Sequence, residues 1–99
     1  MAKRTLKERL VCLKHYKNMF NAIEPKYKDE FNKDNGHLKR LLLTIASEIP
    51  YIDKRPYSHN IIGMSLSIIG EKFNDKIVYL IIENTPLQDR GWGYILEQV

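Results

Sequence analysis

A chain of 99 residues, 43% apolar and 28% charged, has the size and composition of one soluble domain, so a single core without a second module is expected and the composition argues against wholesale disorder. Its longest apolar runs, Leu41-Leu42-Leu43 and Ile77 to Ile82, fall far short of the roughly 20 residues that span a bilayer, and its single cysteine, Cys12, excludes an intramolecular disulfide and a cysteine zinc site. The net charge of +4 is unevenly spread: residues 1–40 carry 11 Lys/Arg against 5 Asp/Glu, and residues 41–99 carry 5 against 7, so the N-terminal part is the basic part.

Thr5 and Glu8 form a T-x-x-E capping box, in which each side chain satisfies a free backbone N–H of the other residue, and this predicts a helix start. From there Leu6, Leu10, Leu13, Phe20 and Ile23 recur at helical spacing, widened by Tyr16 and Met19. A first helix from about Leu6 to Glu24 is expected to bury that face, and Pro25, which lacks an N–H, ends it. The segment KYKDEFNK reads as a short helix with Tyr27 and Phe31 inward, and Asn35-Gly36 as a turn. Leu38, Leu41, Leu42, Ile45 and Ile49 then make one apolar stripe, which predicts a helix from about His37 to Glu48 that Pro50 stops.

The stretch YIDKRPYSHNIIG, residues 51–63, reads as a proline-bounded connector in which Pro56 sets extended backbone ahead of Ser58, a favoured N-cap. Beyond it Ile62, Leu66, Ile69 and Phe73 are spaced by four, three and four, a helical pattern. The same residues admit a strand: Ile62, Met64, Leu66 and Ile68 alternate with Gly63, Ser65 and Ser67, and Ile77 to Ile82 is rich in strand formers, so the two segments would pair as a hairpin across GEKFNDK. The regular continuation to Phe73 favours the helix. Asp75 to Asn84 reads as either, with Asp75 its N-cap if helical. Thr85-Pro86 ends it, LQDRGWG is expected as a loop, and YILEQV as a short terminal element. The expected fold is mainly α, a single small domain of four or five short helices over residues 1–99, with α+β carrying a C-terminal β-hairpin as the alternative.

Lys3, Lys7, Lys14 and Lys17 fall within about 80° of one another on a helix turning 100° per residue. They are expected to flank the apolar face, a geometry that lays ammonium groups along a phosphate backbone and releases counterions. No Arg/Asn/Gln cluster points to base readout, so contact with nucleic acid would be mainly to the backbone. A second basic patch is expected from Lys39-Arg40 and Lys54-Arg55, the latter beside Tyr51 and Tyr57, where cations interleaved with aromatics suit unpaired bases. The bland counterparts are lysines snorkelling around a core face and tyrosines packing a loop.

The histidines, His15, His37 and His59, lie 22 residues apart and share no metal-ligand spacing. His15 is expected on the polar side of the first helix, and His59 as a hydrogen-bonding anchor in the first turn of the fourth element. Ser65 and Ser67 lack a nucleophile-elbow context, the glycines form no phosphate loop, and Glu71, Asp75, Glu83 and Asp89 are scattered. No enzyme, metal or cofactor is expected. Trp92, in GWG, either swings back onto the core or points outward as an interface anchor.

The arrangement PYSHNII, EKF-ND, LII-EN and GW, over about residues 56–92, resembles small uncharacterised proteins encoded by phages and other viruses; the resemblance implies helices in the C-terminal half and no activity. The start MAKRTLKERL becomes charged again before any apolar stretch forms, so no signal peptide and a cytoplasmic location are expected, host cytoplasm for a viral source. The functional expectation is a non-enzymatic accessory or regulatory protein that binds nucleic acid through its basic first helix. A homodimer is expected, since the broad face of that helix and Ile77 to Ile82 call for a partner. The alternative is a protein-interaction module, an adaptor or an inhibitor of a host protein.

Overall fold

A computed structural model describes residues 5–85 together with Leu87, Trp92, Gly93 and Ile95. Among them the chain forms five α-helices: α1 Leu6–Ile23, α2 Lys28–Phe31, α3 His37–Glu48, α4 Pro56–Lys72 and α5 Asp75–Asn84, with 3₁₀ turns at Lys33–Asn35 and Ile49–Tyr51. The described residues contain no strand, so the mainly α expectation holds and the hairpin alternative does not.

Local signals set both ends of α1 and the starts of α3, α4 and α5. The capping box of α1 is closed, with Thr5 Oγ1 accepting from the Glu8 N–H at 3.1 Å and the Thr5 N–H donating to Glu8 Oε1 at 2.9 Å. At the other end the Glu24 N–H still reaches Phe20 O, and the chain leaves the helix around Pro25. Asp34, Asn35 and Gly36 have φ of 49°, 54° and 79°, three successive left-handed residues that reverse the chain before α3. Two predicted caps are displaced by one to three residues. Ser58 is not the N-cap of α4; Arg55 is, because Pro56 has its φ fixed for the first helical position and starts the helix earlier, which carries Ser58 inside the first turn. Asp75 is likewise the first helical residue of α5, and Asn74 caps it by accepting from the Lys76 N–H at 2.8 Å.

α1, α3, α4 and α5 form a closed ring in which α1 packs on α3 and α5, and α4 packs on the same two. The core between them holds Met19 and Ile23 of α1, Leu38, Leu42 and Ile45 of α3, Ile62, Leu66 and Ile69 of α4, and Ile77 and Ile81 of α5. Phe31 of α2 closes one end and Ile95 is buried against the same cluster. Gly70 lets α4 and α5 approach closely: a Cβ there would stand 3.0 Å from Asp75 Oδ1. Where α3 gives way to α4, Ser58 Oγ donates to Glu48 Oε1 at 2.8 Å, a buried link between the two helices. Trp92 and Gly93 are helical rather than part of a loop.

Candidate functional site

The buried face of α1 is the predicted one only in its second half, from Tyr16 to Ile23. Met19 and Ile23 point into the core, with Cys12, Tyr16 and Phe20 packed against it. Leu6, Leu10 and Leu13 are 72%, 58% and 48% exposed. The physical reason lies in the neighbours. α3 and α5 meet α1 along the side of Cys12, Tyr16, Met19 and Ile23, where the Phe20 ring sits 5.8 Å from Tyr16 and 5.0 Å from Phe31, and at 100° per residue this side is roughly opposite Leu10.

Lys7, Lys14 and Lys17 are exposed and share the outward side with the leucines. They therefore surround an apolar row standing in solvent instead of edging a core face. Leu10, Leu13, Lys14 and Lys17 line a shallow depression of about 350 Å³ that ends at Asn18 and Asn21. The lone carboxylate of α1, Glu8, is engaged away from this face: the Thr5 N–H, then the Tyr51 hydroxyl, hold it below its ordinary value, with the nearby charge of Lys54 adding to the effect. The outer face of α1 is thus cationic and apolar together.

The other expected cations divide. Lys39 adjoins the α1 surface, its Nζ 5.7 Å from the centre of the Phe20 ring, one turn beyond Lys17. Arg40 is engaged in holding the left-handed turn, donating from Nη1 to Asn35 O at 2.8 Å. Arg55 stacks 3.7 Å over the buried Tyr51 ring and lies 5.8 Å from Tyr57, so the Tyr51 face expected to meet a base is already covered. Lys54 is exposed near Glu8. Lys3 lies outside the described residues, as does Asp89. The structure therefore keeps Lys7, Lys14 and Lys17 on one side of α1 with Lys39 near Phe20 at its carboxyl end, while Arg40 holds a turn and Arg55 stacks on Tyr51.

His15 is half-buried rather than on the polar side, and its Nδ1 is enclosed without a hydrogen-bond partner among the described residues. Burial, and after it the charge of Lys14, hold its imidazole below the ordinary value. His59 Nδ1 is 3.4 Å from Pro56 O, consistent with an anchor in the first turn, and His37 Nδ1 is 3.4 Å from Lys72 Nζ. Among the described residues no three His, Cys, Asp or Glu side chains converge as metal ligands, and no helix is long and apolar enough to cross a membrane. Glu71 and Asp75 both border a groove of about 350 Å³ between α4 and α5, whose walls include Leu66, Val78, Tyr79 and Ile82 and neither histidine nor cysteine.

Trp92 is turned inward: its Nε1 donates to Thr85 O at 2.7 Å and its ring packs on the core, the first of the two readings for that residue. Of the Ile77 to Ile82 run, Ile77 and Ile81 are fully buried, while Tyr79 stays exposed. Comparison with protein-family models, with curated proteins and with solved structures finds no match to this chain.

Proposed function

We propose that this chain is a small non-enzymatic binding module whose working surface is the outer face of α1, and that its partner there is a protein segment offering apolar and acidic side chains together. The observation that carries this is the exposure of Leu6, Leu10 and Leu13 among Lys7, Lys14 and Lys17. Removing an apolar row from water stabilises a complex by roughly 25 cal/mol per Å², while the lysines steer an acidic partner and fix its register. A second copy is a poor occupant, because two such faces would set lysine against lysine. An amphipathic helix with leucine-like and carboxylate positions fits both features.

A second reading, binding of a nucleic-acid backbone, is supported by the same three lysines and by the approach of Lys39 to their edge. Phosphates engage the ammonium groups but give the leucines no counterpart, which is why the protein partner is preferred. One experiment separates the two. Fluorescence anisotropy is measured against a labelled amphipathic peptide of Leu and Glu at helical spacing, and against labelled single- and double-stranded DNA and RNA. Peptide binding that is lost in both Leu10→Ser and Lys14→Gln supports the protein reading. Nucleic-acid binding with a steep salt dependence, lost in Lys14→Gln and kept in Leu10→Ser, supports the second. Flat curves for every probe overturn both.

A further inference from the structure

Tyr57, Met64 and Ile68 of α4 are 52%, 66% and 37% exposed, and the half-buried Ile61 stands between them. Their spacing of four, three and four puts all four on one narrow strip, the seam pattern of helices that pair by knobs into holes. The strip faces away from the core stripe Ile62, Leu66 and Ile69. Between Arg55 and Glu71 the chain has no Lys, Arg, Asp or Glu at all. α4 therefore exposes an uncharged apolar seam about 17 Å long, unlike the lysine-studded face of α1.

We propose that this seam joins two copies of the chain as an antiparallel, twofold-symmetric dimer. The charges at its ends select both the occupant and the direction. Exposed Lys54 and half-buried Arg55 stand at the amino end, which stays net positive beside exposed Asp53, and exposed Glu71 stands at the carboxyl end. Lys72 does not cancel Glu71, since its Nζ is engaged with Asp34 Oδ2 at 3.0 Å. In a parallel pair, Lys54 and Arg55 would face their own copies and Glu71 would face Glu71. In an antiparallel pair, Tyr57 meets Ile68 and Ile61 meets Met64, and the same register sets Lys54 and Arg55 against Glu71 twice over. The helix dipoles also oppose in that arrangement. A strip that complements itself under a twofold axis is what an isologous contact requires. With four side chains from each copy the contact lies at or below the small end of specific interfaces, about 1,200 Å², so the dimer forms in the micromolar range or above.

Sedimentation equilibrium of the full chain over roughly 5 to 500 µM tests this at the concentrations a small interface needs, with circular dichroism to verify that each variant is folded. The weight-average mass of the parent should climb from 11.7 kDa toward twice that value. Met64→Glu should weaken association roughly tenfold or more, and Glu71→Lys roughly threefold or more, through its two symmetric charge pairs. Leu10→Glu, on the α1 face, should dimerise like the parent, so failure of the partner proposed for α1 leaves this result untouched. A parent that stays at 11.7 kDa throughout, or a Met64→Glu variant that dimerises as tightly as the parent, overturns the seam. Unchanged affinity in Glu71→Lys overturns the antiparallel pairing.

Discussion

Ser58 and Glu48 are both buried, and the hydroxyl of one is a donor to the carboxylate of the other. Removing a donor from a buried carboxylate leaves desolvation uncompensated, so Ser58→Ala should lower the unfolding free energy by roughly 1–3 kcal/mol in chemical denaturation. Gly36 is a different kind of constraint. A Cβ there would meet nothing within 4 Å, so Gly36→Ala isolates the cost of φ +79°, and a loss of about 1 kcal/mol is expected. His15 ties stability to pH. Its imidazole is held below the ordinary 6.5 by burial first and Lys14 second, so the unfolded chain takes up that proton before the folded one does. Stability should therefore fall as pH drops through the ordinary histidine value and level off once folded His15 is also protonated. Glu8 and Asp34 are held below 4.5 and 3.8, Glu8 first by the Thr5 backbone and Asp34 first by Lys72. Their contributions are present above those values and are lost only at lower pH, so the windows separate. His15→Leu should flatten the slope of stability between about pH 7 and 5 while leaving the more acidic loss in place.

At the scale of the element, α3 was legible to its ends because Leu38, Leu41, Leu42, Ile45 and Ile49 form one continuous apolar stripe and all five are buried, with Leu43 the single large apolar residue outside it. α1 was legible as a helix, but only the second half of its buried face was. Its apolar residues form two stripes, Leu6, Leu10 and Leu13 on one side and Cys12, Tyr16, Met19 and Ile23 on the other, and local periodicity does not say which one α3 and α5 will meet. The strand-like alternation of Ile62, Met64, Leu66 and Ile68 has a similar origin. It is two helical stripes superposed, one buried at Ile62 and Leu66, the other exposed at Met64 and Ile68. The lysines of the candidate site were readable from spacing, whereas the leucines among them were misassigned to the core for the same reason. Truncation separates the two sides of α1: Met19→Ala and Ile23→Ala should each cost about 2–5 kcal/mol, while Leu10→Ala should stay within about 0.5 kcal/mol of the parent.

At the scale of the molecule, four helices close a ring around a core that is complete without the first three leucines of the chain. Among the described residues, two of the outward faces differ in character, a cationic and apolar one on α1 and an uncharged one on α4, and these are the faces proposed for an acidic partner and a second copy respectively. Both assignments depend on the core being closed from within. The most direct test is thermal unfolding of the triple variant Leu6→Gln, Leu10→Gln, Leu13→Gln, followed by circular dichroism. With the leucines in solvent, the variant should fold and melt cooperatively within about 5 °C of the parent. A chain that fails to fold, or melts without cooperativity, would place those leucines in the core and contradict the account.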